Sequence, residues 1–328
     1  MQKPIKVLSI DGGGTRGVFP ATLLNCIEKE TGKKIHELFD VIVGAATGGI
    51  IATALAAGMD TKSIGDIYLN QAKYILPRSF FRSVWNIRGL FAAKYSNQNL
   101  KKLLEEKFGN KTLGDVDGPV FLFPALKLNP ALYTGQIKGF KVEVFNTKDH
   151  EYGKELLVDV ALRTAAAATN LPIYQGYTEG GNYANDPALV GFFYCLGIPK
   201  EQGGEGGLGA ALSDIKILSI GCGSDGKSFI PTEKIGKGNW GIFRWLGYLV
   251  SLVIESKMVA TQYYLRQIFT SDQYLRINVD YNAPEAPSAL RGQKLAIDVR
   301  DQLQLDAIHE YAFLTFEKHK TTILNFIQ

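Results

Sequence analysis

Apolar residues in this chain fall into short unbroken runs that alternate with longer stretches of helical spacing. Ile5 to Ile10, Val41 to Val43, Pro119 to Lys127, Val142 to Phe145, Ile215 to Ile220 and Tyr274 to Val279 read as strands. Between them, Phe19 to about Thr31 and Asn97 to Phe108 repeat apolar side chains every three or four residues. In the second, Leu100, Leu103, Leu104 and Phe108 share one face. Val158 to Ala168 reads as a small-residue helix ended by Leu171-Pro172. Trp240 to Arg266 reads as one or two long helices, and Gln302 to Phe326 as mostly helical. Strands alternating with helices predict an α/β fold, with a mainly parallel sheet sandwiched by helices.

Two strands end in glycine turns. Phe39 to Ala52 runs from a buried strand through Gly44, Gly48 and Gly49 into an apolar helix. That is the context of a nucleophile elbow, G-x-S-x-G, with Gly44 and Gly48 at its two glycine positions. Ala46 stands where the serine belongs, and a methyl group cannot attack a carbonyl. The other turn, Asp11-Gly12-Gly13-Gly14-Thr15-Arg16-Gly17, links the first strand to the first helix. Backbone N–H groups at such a turn favour anions. Gly12, Gly14 and Gly17 have G-x-G-x-x-G spacing. However, no acidic residue ends a well-formed second strand about 20 residues on, and a Walker lysine is absent. The remaining reading is an oxyanion hole at Gly12, Gly13 and Gly14, with Arg16 shaping the loop or adding positive potential. A tight turn with no ligand is the plainer alternative.

Composition changes this picture little. Of 328 residues, 46% are hydrophobic and 21% charged, which is globular and sufficient for one large domain or two smaller ones. The net charge, 36 − 32 = +4, is too mild for a nucleic-acid polymer partner and weakly suits an anionic membrane surface. Cys26, Cys195 and Cys222 show no metal or disulfide spacing, so no metal or cofactor is expected and a reducing, cytoplasmic compartment is. No signal peptide and no spanning helix are read. Tyr74 to Arg88 mixes aromatics with arginines, as a membrane-contact lip or as a loop packed on its own aromatics. Trp240 to Tyr248 reads as a lid or membrane contact, or as a helix with its tryptophans in the core.

Together the motifs resemble the patatin-like phospholipase family, in family order, over about residues 5 to 225. Asp11 to Gly17 resembles its D-G-G-G-x-R-G oxyanion motif and Gly44 to Gly49 its G-x-S-x-G-G elbow. Arg163 to Ala168 with Pro172 resembles the helix and proline before the acidic motif. Glu179-Gly180-Gly181 resembles the D-G-[GA] motif, with Asn185-Asp186-Pro187 for the N-N-P downstream. Ile217 to Gly223 resembles the strand and turn beyond it. The resemblance implies a patatin-like, α/β-hydrolase-related fold. It implies a Ser–Asp dyad without histidine, which fits His36, His150, His309 and His319 lying outside every motif. The implied domains are 1–225, catalytic, and 226–328, a mostly helical extension packed on or covering it.

The implied activity is hydrolysis of fatty-acyl esters of glycerophospholipids, with peripheral contact to the membrane. The chain's size also resembles bacterial patatin-like antiphage effectors, which implies a cyclic-nucleotide activator, although no motif identifies a nucleotide pocket. Two departures bear on activity. Ala46 holds the nucleophile position, and Glu179 holds the aspartate position with one more methylene. Asp186 is the fallback carboxylate. Thr47 carries a hydroxyl but follows the apex and should point elsewhere. The chain as written is expected to be inactive, either through an engineered replacement of serine or as a natural pseudoenzyme that binds lipid or regulates a partner.

Overall fold

A computed structural model describes residues 3–77, 92–133, 137–226 and 229–328. Its centre is a seven-stranded sheet. In chain order the strands are β1 Ile5–Ile10, β2 Val41–Gly44, β3 Val120–Tyr133, β4 Ile137–Asn146, β5 Tyr177–Glu179, β6 Ile215–Ile220 and β7 Tyr274–Ile277. The spatial order is β4-β3-β2-β1-β6-β7, with β5 paired to β3. Neighbours from β3 through β2, β1 and β6 to β7 run parallel, while β4 and β5 lie antiparallel to β3.

The parallel strands read as continuous apolar runs because helices cover both faces. On one face pack α1 Val18–Thr31, α2 Thr47–Ala56 and α3 Thr61–Ile75. With them lie α4 Gln98–Phe108, α5 Leu157–Thr164 and the last helix, Gln302–Ile327. On the other lies α6 Ala188–Leu196, whose Ala188 and Phe192 meet Val7, Val43 and Leu122. Helices on both faces of a mainly parallel sheet are the architecture that the alternating pattern predicted.

Three boundaries differ from the hydropathy reading. β3 runs on past Lys127 to Tyr133, through a register shift between Lys127 and Ala131. α5 stops at Thr164 instead of Ala168. The carbonyls of Thr164 and Ala166 accept the amides of Gly180 and Glu179, so the β5 turn displaces the next helical bonds. The 240–266 stretch, read as one or two long helices, is one long helix, α8 Leu249–Ile268, preceded by a short one, α7 Ile242–Leu246. Beyond them β7 joins the same sheet, and α9 Gln302–Ile327 packs on α1. Of the aromatic, basic connector, residues 78–91 lie outside the described residues.

Candidate active site

β1, β2 and β6 all end at one edge of the sheet, and the loops that follow them build the site. At the end of β2 the chain doubles back so tightly that only glycine fits. A Cβ at Gly44 would sit 2.1 Å from the Gly48 carbonyl oxygen, and one at Gly48 would sit 2.0 Å from the Ile10 carbonyl oxygen. Ala46 is the apex, at φ 49° and ψ −116°. A side-chain-bearing residue pays roughly 1–3 kcal/mol to hold such a conformation. What holds it is Thr164. The Ala46 amide donates to Thr164 Oγ1 at 3.2 Å, and that hydroxyl donates to the Pro124 carbonyl at 2.7 Å.

The glycine loop after β1 packs directly against the apex. A Cβ on Gly12 would lie 3.1 Å from the Ala46 Cβ and 2.3 Å from Asn185 Oδ1. Gly13 lies against Cys222, and Gly14, at φ +61°, against the Ile297 carbonyl. The Gly12 amide donates to the Asn185 carbonyl at 2.9 Å, so Gly12 contributes close approach and no free donor. Among the described residues no acceptor takes the Gly13 or Gly14 amide. Arg16 Nε donates to the Gly13 carbonyl at 3.3 Å, which fixes the loop's curvature. Thr47 Oγ1 donates to the Gly14 carbonyl at 2.7 Å, so its hydroxyl ties the loop to α2 and is turned from the position of a nucleophile.

Glu179, the last residue of β5, shares a cavity of about 970 Å³ with Ala46, Gly12, Gly13, Gly14 and Arg16. Burial pushes its carboxyl up to about 7, against a hydrogen bond from the Ala168 backbone that pulls the other way. A carboxyl poised near neutrality can accept a proton in the working range. The cavity continues between helices, past Thr47, Ile50 and Ala54 on one face of α2 and Ile64 of α3, to Leu103 and Leu104 of α4. From Ala46 to Ala54 this wall spans about 12 Å at 1.5 Å per residue. An apolar slot leading from a polar corner suits an acyl chain with its ester at Ala46. Among the described residues, no group of acidic, histidine or cysteine side chains is placed to hold a metal ion.

Asp186, the fallback carboxylate, is not in this cavity. It accepts the Ala188 amide at 3.1 Å and the Ser219 hydroxyl at 3.2 Å, and lies 3.4 Å from Arg276. Arg276 of β7 also binds Asp11, the residue that opens the glycine loop, through its two terminal guanidinium nitrogens, Nη1 and Nη2. Burial works against the Arg276 charge, but Asp11 and Asp186 outweigh it and push its pKa up. Sequence reading missed Arg276, because nothing local marks a partner 265 residues from Asp11. It also missed what Thr164 and Asn185 do, although both lie in quoted motifs. None of the four histidines lines the cavity. Burial pushes the Cys222 thiol beside Gly13 up to about 12, so it is no thiolate nucleophile.

A family model described as patatin-like phospholipase matches residues 8–191. The cGAMP-activated phospholipase of Vibrio cholerae serotype O1 is 29% identical over 308 residues, covering 87% of this chain and 83% of that protein. Patatin-like protein 2 of Oryza sativa subsp. indica is 27% identical over 325 residues, covering 85% and 77%. Among solved structures, VipD from Legionella pneumophila aligns with 97% of this chain and 67% of its own at a TM-score of 0.43 and 12% identity, a likeness too slight to bear on function.

Proposed function

The chain belongs to the patatin-like phospholipase family, and on that premise we propose that it carries the site of a lipid acyl hydrolase silenced at its nucleophile. The substrates are fatty-acyl esters of glycerophospholipids. With serine at position 46, its Oγ attacks the ester carbonyl while Glu179 takes the hydroxyl proton. The amides of Gly13 and Gly14 receive the oxyanion. The leaving alcohol regains the proton, and water, deprotonated by Glu179, then releases the fatty acid. With Ala46 the first bond cannot form, so the chain as it stands turns nothing over.

The observation that carries this reading is the backbone at Ala46. Alanine gains nothing from φ 49° and ψ −116°. The strain is what an elbow needs to lift a nucleophile into the cavity. Glu179, Thr164 and the glycine loop remain arranged around it, which favours a serine replaced in a competent site. The second reading, a natural pseudoenzyme that holds an acyl chain or regulates a partner, draws on there being two departures, Ala46 and Glu179. The Vibrio cholerae relative is named for activation by cGAMP, and we extend a cyclic-nucleotide activator to this chain as part of the proposal, together with peripheral action at a membrane.

The test is release of acid by Ala46→Ser beside the chain as given. A short-chain fluorogenic ester and phospholipid vesicles are the substrates, each with and without cyclic dinucleotides. Turnover in the serine form, at least a hundredfold above the alanine form, is expected. It should decline as pH falls below about 7, where Glu179 takes up its proton. No turnover in either form, with or without Glu179→Asp, leaves the pseudoenzyme reading.

A further inference from the structure

α7 and the first half of α8 are apolar on both sides. One face of α8 closes the cavity through Ser251, Ile254 and Met258, with Asn185 Nδ2 donating to Met258 Sδ at 3.0 Å. The other face, and all of α7, face solvent. Phe243 is 88% exposed, Ile242 61%, Leu246 56% and Val250 55%, with Leu252 and Val253 also exposed beside them. Exposed apolar residues this concentrated mark an interaction surface. Neither tryptophan of the segment is in the core, as Trp240 and Trp245 are half-buried and pack on each other with ring centroids 5.2 Å apart.

Two further observations identify what the surface meets. Lys234, Lys237 and Arg244 of this stretch are exposed beside one exposed acid, Glu233, while the next acid along the chain, Glu255, lines the cavity. An aromatic and aliphatic face with a net cationic fringe matches an anionic lipid interface. It is a poor match for a second copy, where an isologous contact would bring an excess of cations together. The surface is also continuous with the cavity mouth. Val250 and Val259 line the cavity and are at the same time 55% and 65% exposed. A chain entering from a bilayer against α7 would reach the slot without crossing water.

We propose that α7 and the N-terminal half of α8 are the membrane-docking surface, seating the cavity mouth on anionic phospholipid. This rests on the lipid-hydrolase reading and adds to it which surface docks and which lipid charge it selects. The experiment uses the full chain with Ala46 in place, so that binding is read without turnover. Binding to vesicles of phosphatidylcholine and to vesicles of equal phosphatidylcholine and phosphatidylglycerol is followed by co-sedimentation and by tryptophan emission, since two of the three tryptophans, Trp240 and Trp245, lie in the segment.

The expected result is binding at least fivefold stronger to the anionic vesicles, weakened by salt, with a blue shift in emission. Ile242→Ser with Phe243→Ser removes at least four-fifths of it, while Phe313→Ser, an exposed change on α9, leaves it intact. Both altered positions in the double variant are exposed, so folding is unaffected, as far-UV circular dichroism checks. Equal binding by the double variant, no preference for the anionic vesicles, no binding at all, or a dimer that Ile242→Ser with Phe243→Ser dissociates would each overturn the proposal. Hydrolysis of the soluble short-chain ester by Ala46→Ser reads the catalytic site without a membrane, so failure of the one proposal is separable from failure of the other.

Discussion

Ala46 is a residue whose backbone and side chain disagree. Its φ of 49° suits glycine, whereas no other alanine among the described residues has a positive φ. Ala46→Gly should therefore leave stability unchanged or raise it by up to about 1 kcal/mol, since relief of strain offsets the lost chain stiffness. Ala54→Gly, in the middle of α2, should cost about 1 kcal/mol. Urea unfolding of the pair checks the opposite signs, and equal losses would mean that the apex is unstrained. Glu179 supplies a second test. Its carboxyl titrates near 7 when folded and near 4.5 otherwise. Because the folded value is the higher, ionisation costs the fold nothing below about 4.5 and most above about 7. At 1.36 kcal/mol per unit the cost approaches about 3 kcal/mol. Glu179→Gln should thus stabilise the chain near pH 8 and much less near pH 5, as denaturation midpoints at the two conditions will show.

Between elements, the elbow is held from outside itself. β2 and α2 supply the strand, turn and helix, but the Ala46 amide is satisfied only by Thr164 at the end of α5, which also reaches Pro124 in β3. Thr164→Val keeps the shape and leaves a buried amide and carbonyl without that hydroxyl. A loss of about 1–3 kcal/mol is expected, and in the Ala46→Ser background a fall in kcat larger than the change in KM. Retained turnover in that double variant would show that the turn holds itself. The hydrophobic pattern marked α4 well, because Leu100, Leu103, Leu104 and Phe108 bury one defined face. α7 was left open between a lid or membrane contact and the core. The reason is physical: apolar residues on both faces of a helix have no preferred side until the neighbours are in place.

At the scale of the molecule, residues far apart in sequence meet under the glycine loop. Asp11 of the β1 end, Asp186 before α6, Ser219 of β6 and Arg276 of β7 form one buried ionic cluster. It ties the sheet's far edge to the loop that packs against Ala46. Arg276→Leu removes the cation and strands two buried carboxylates, a change worth about 3–5 kcal/mol. The thermal midpoint should fall by several degrees, and vesicle hydrolysis by Ala46→Ser should fall with it as Gly13 and Gly14 lose their setting. A variant with unchanged midpoint would mean that this cluster does not hold the fold.

The sequence by itself determined the α/β class, the order of the parallel strands' loops, the elbow with its alanine, and the carboxylate at Glu179. These are legible because they depend on local rules: unbroken apolar runs for strands buried on both faces, and glycines where backbone touches backbone. Only the tertiary structure decided that Gly12 spends its amide on Asn185 and leaves Gly13 and Gly14 to face the cavity. It alone set Asp186 apart from the site, joined Arg276 to Asp11, and turned one face of α8 to the cavity and the other to solvent. Those outcomes depend on which groups share a hydrogen bond or a low-dielectric pocket across hundreds of residues. No periodicity along the chain records that.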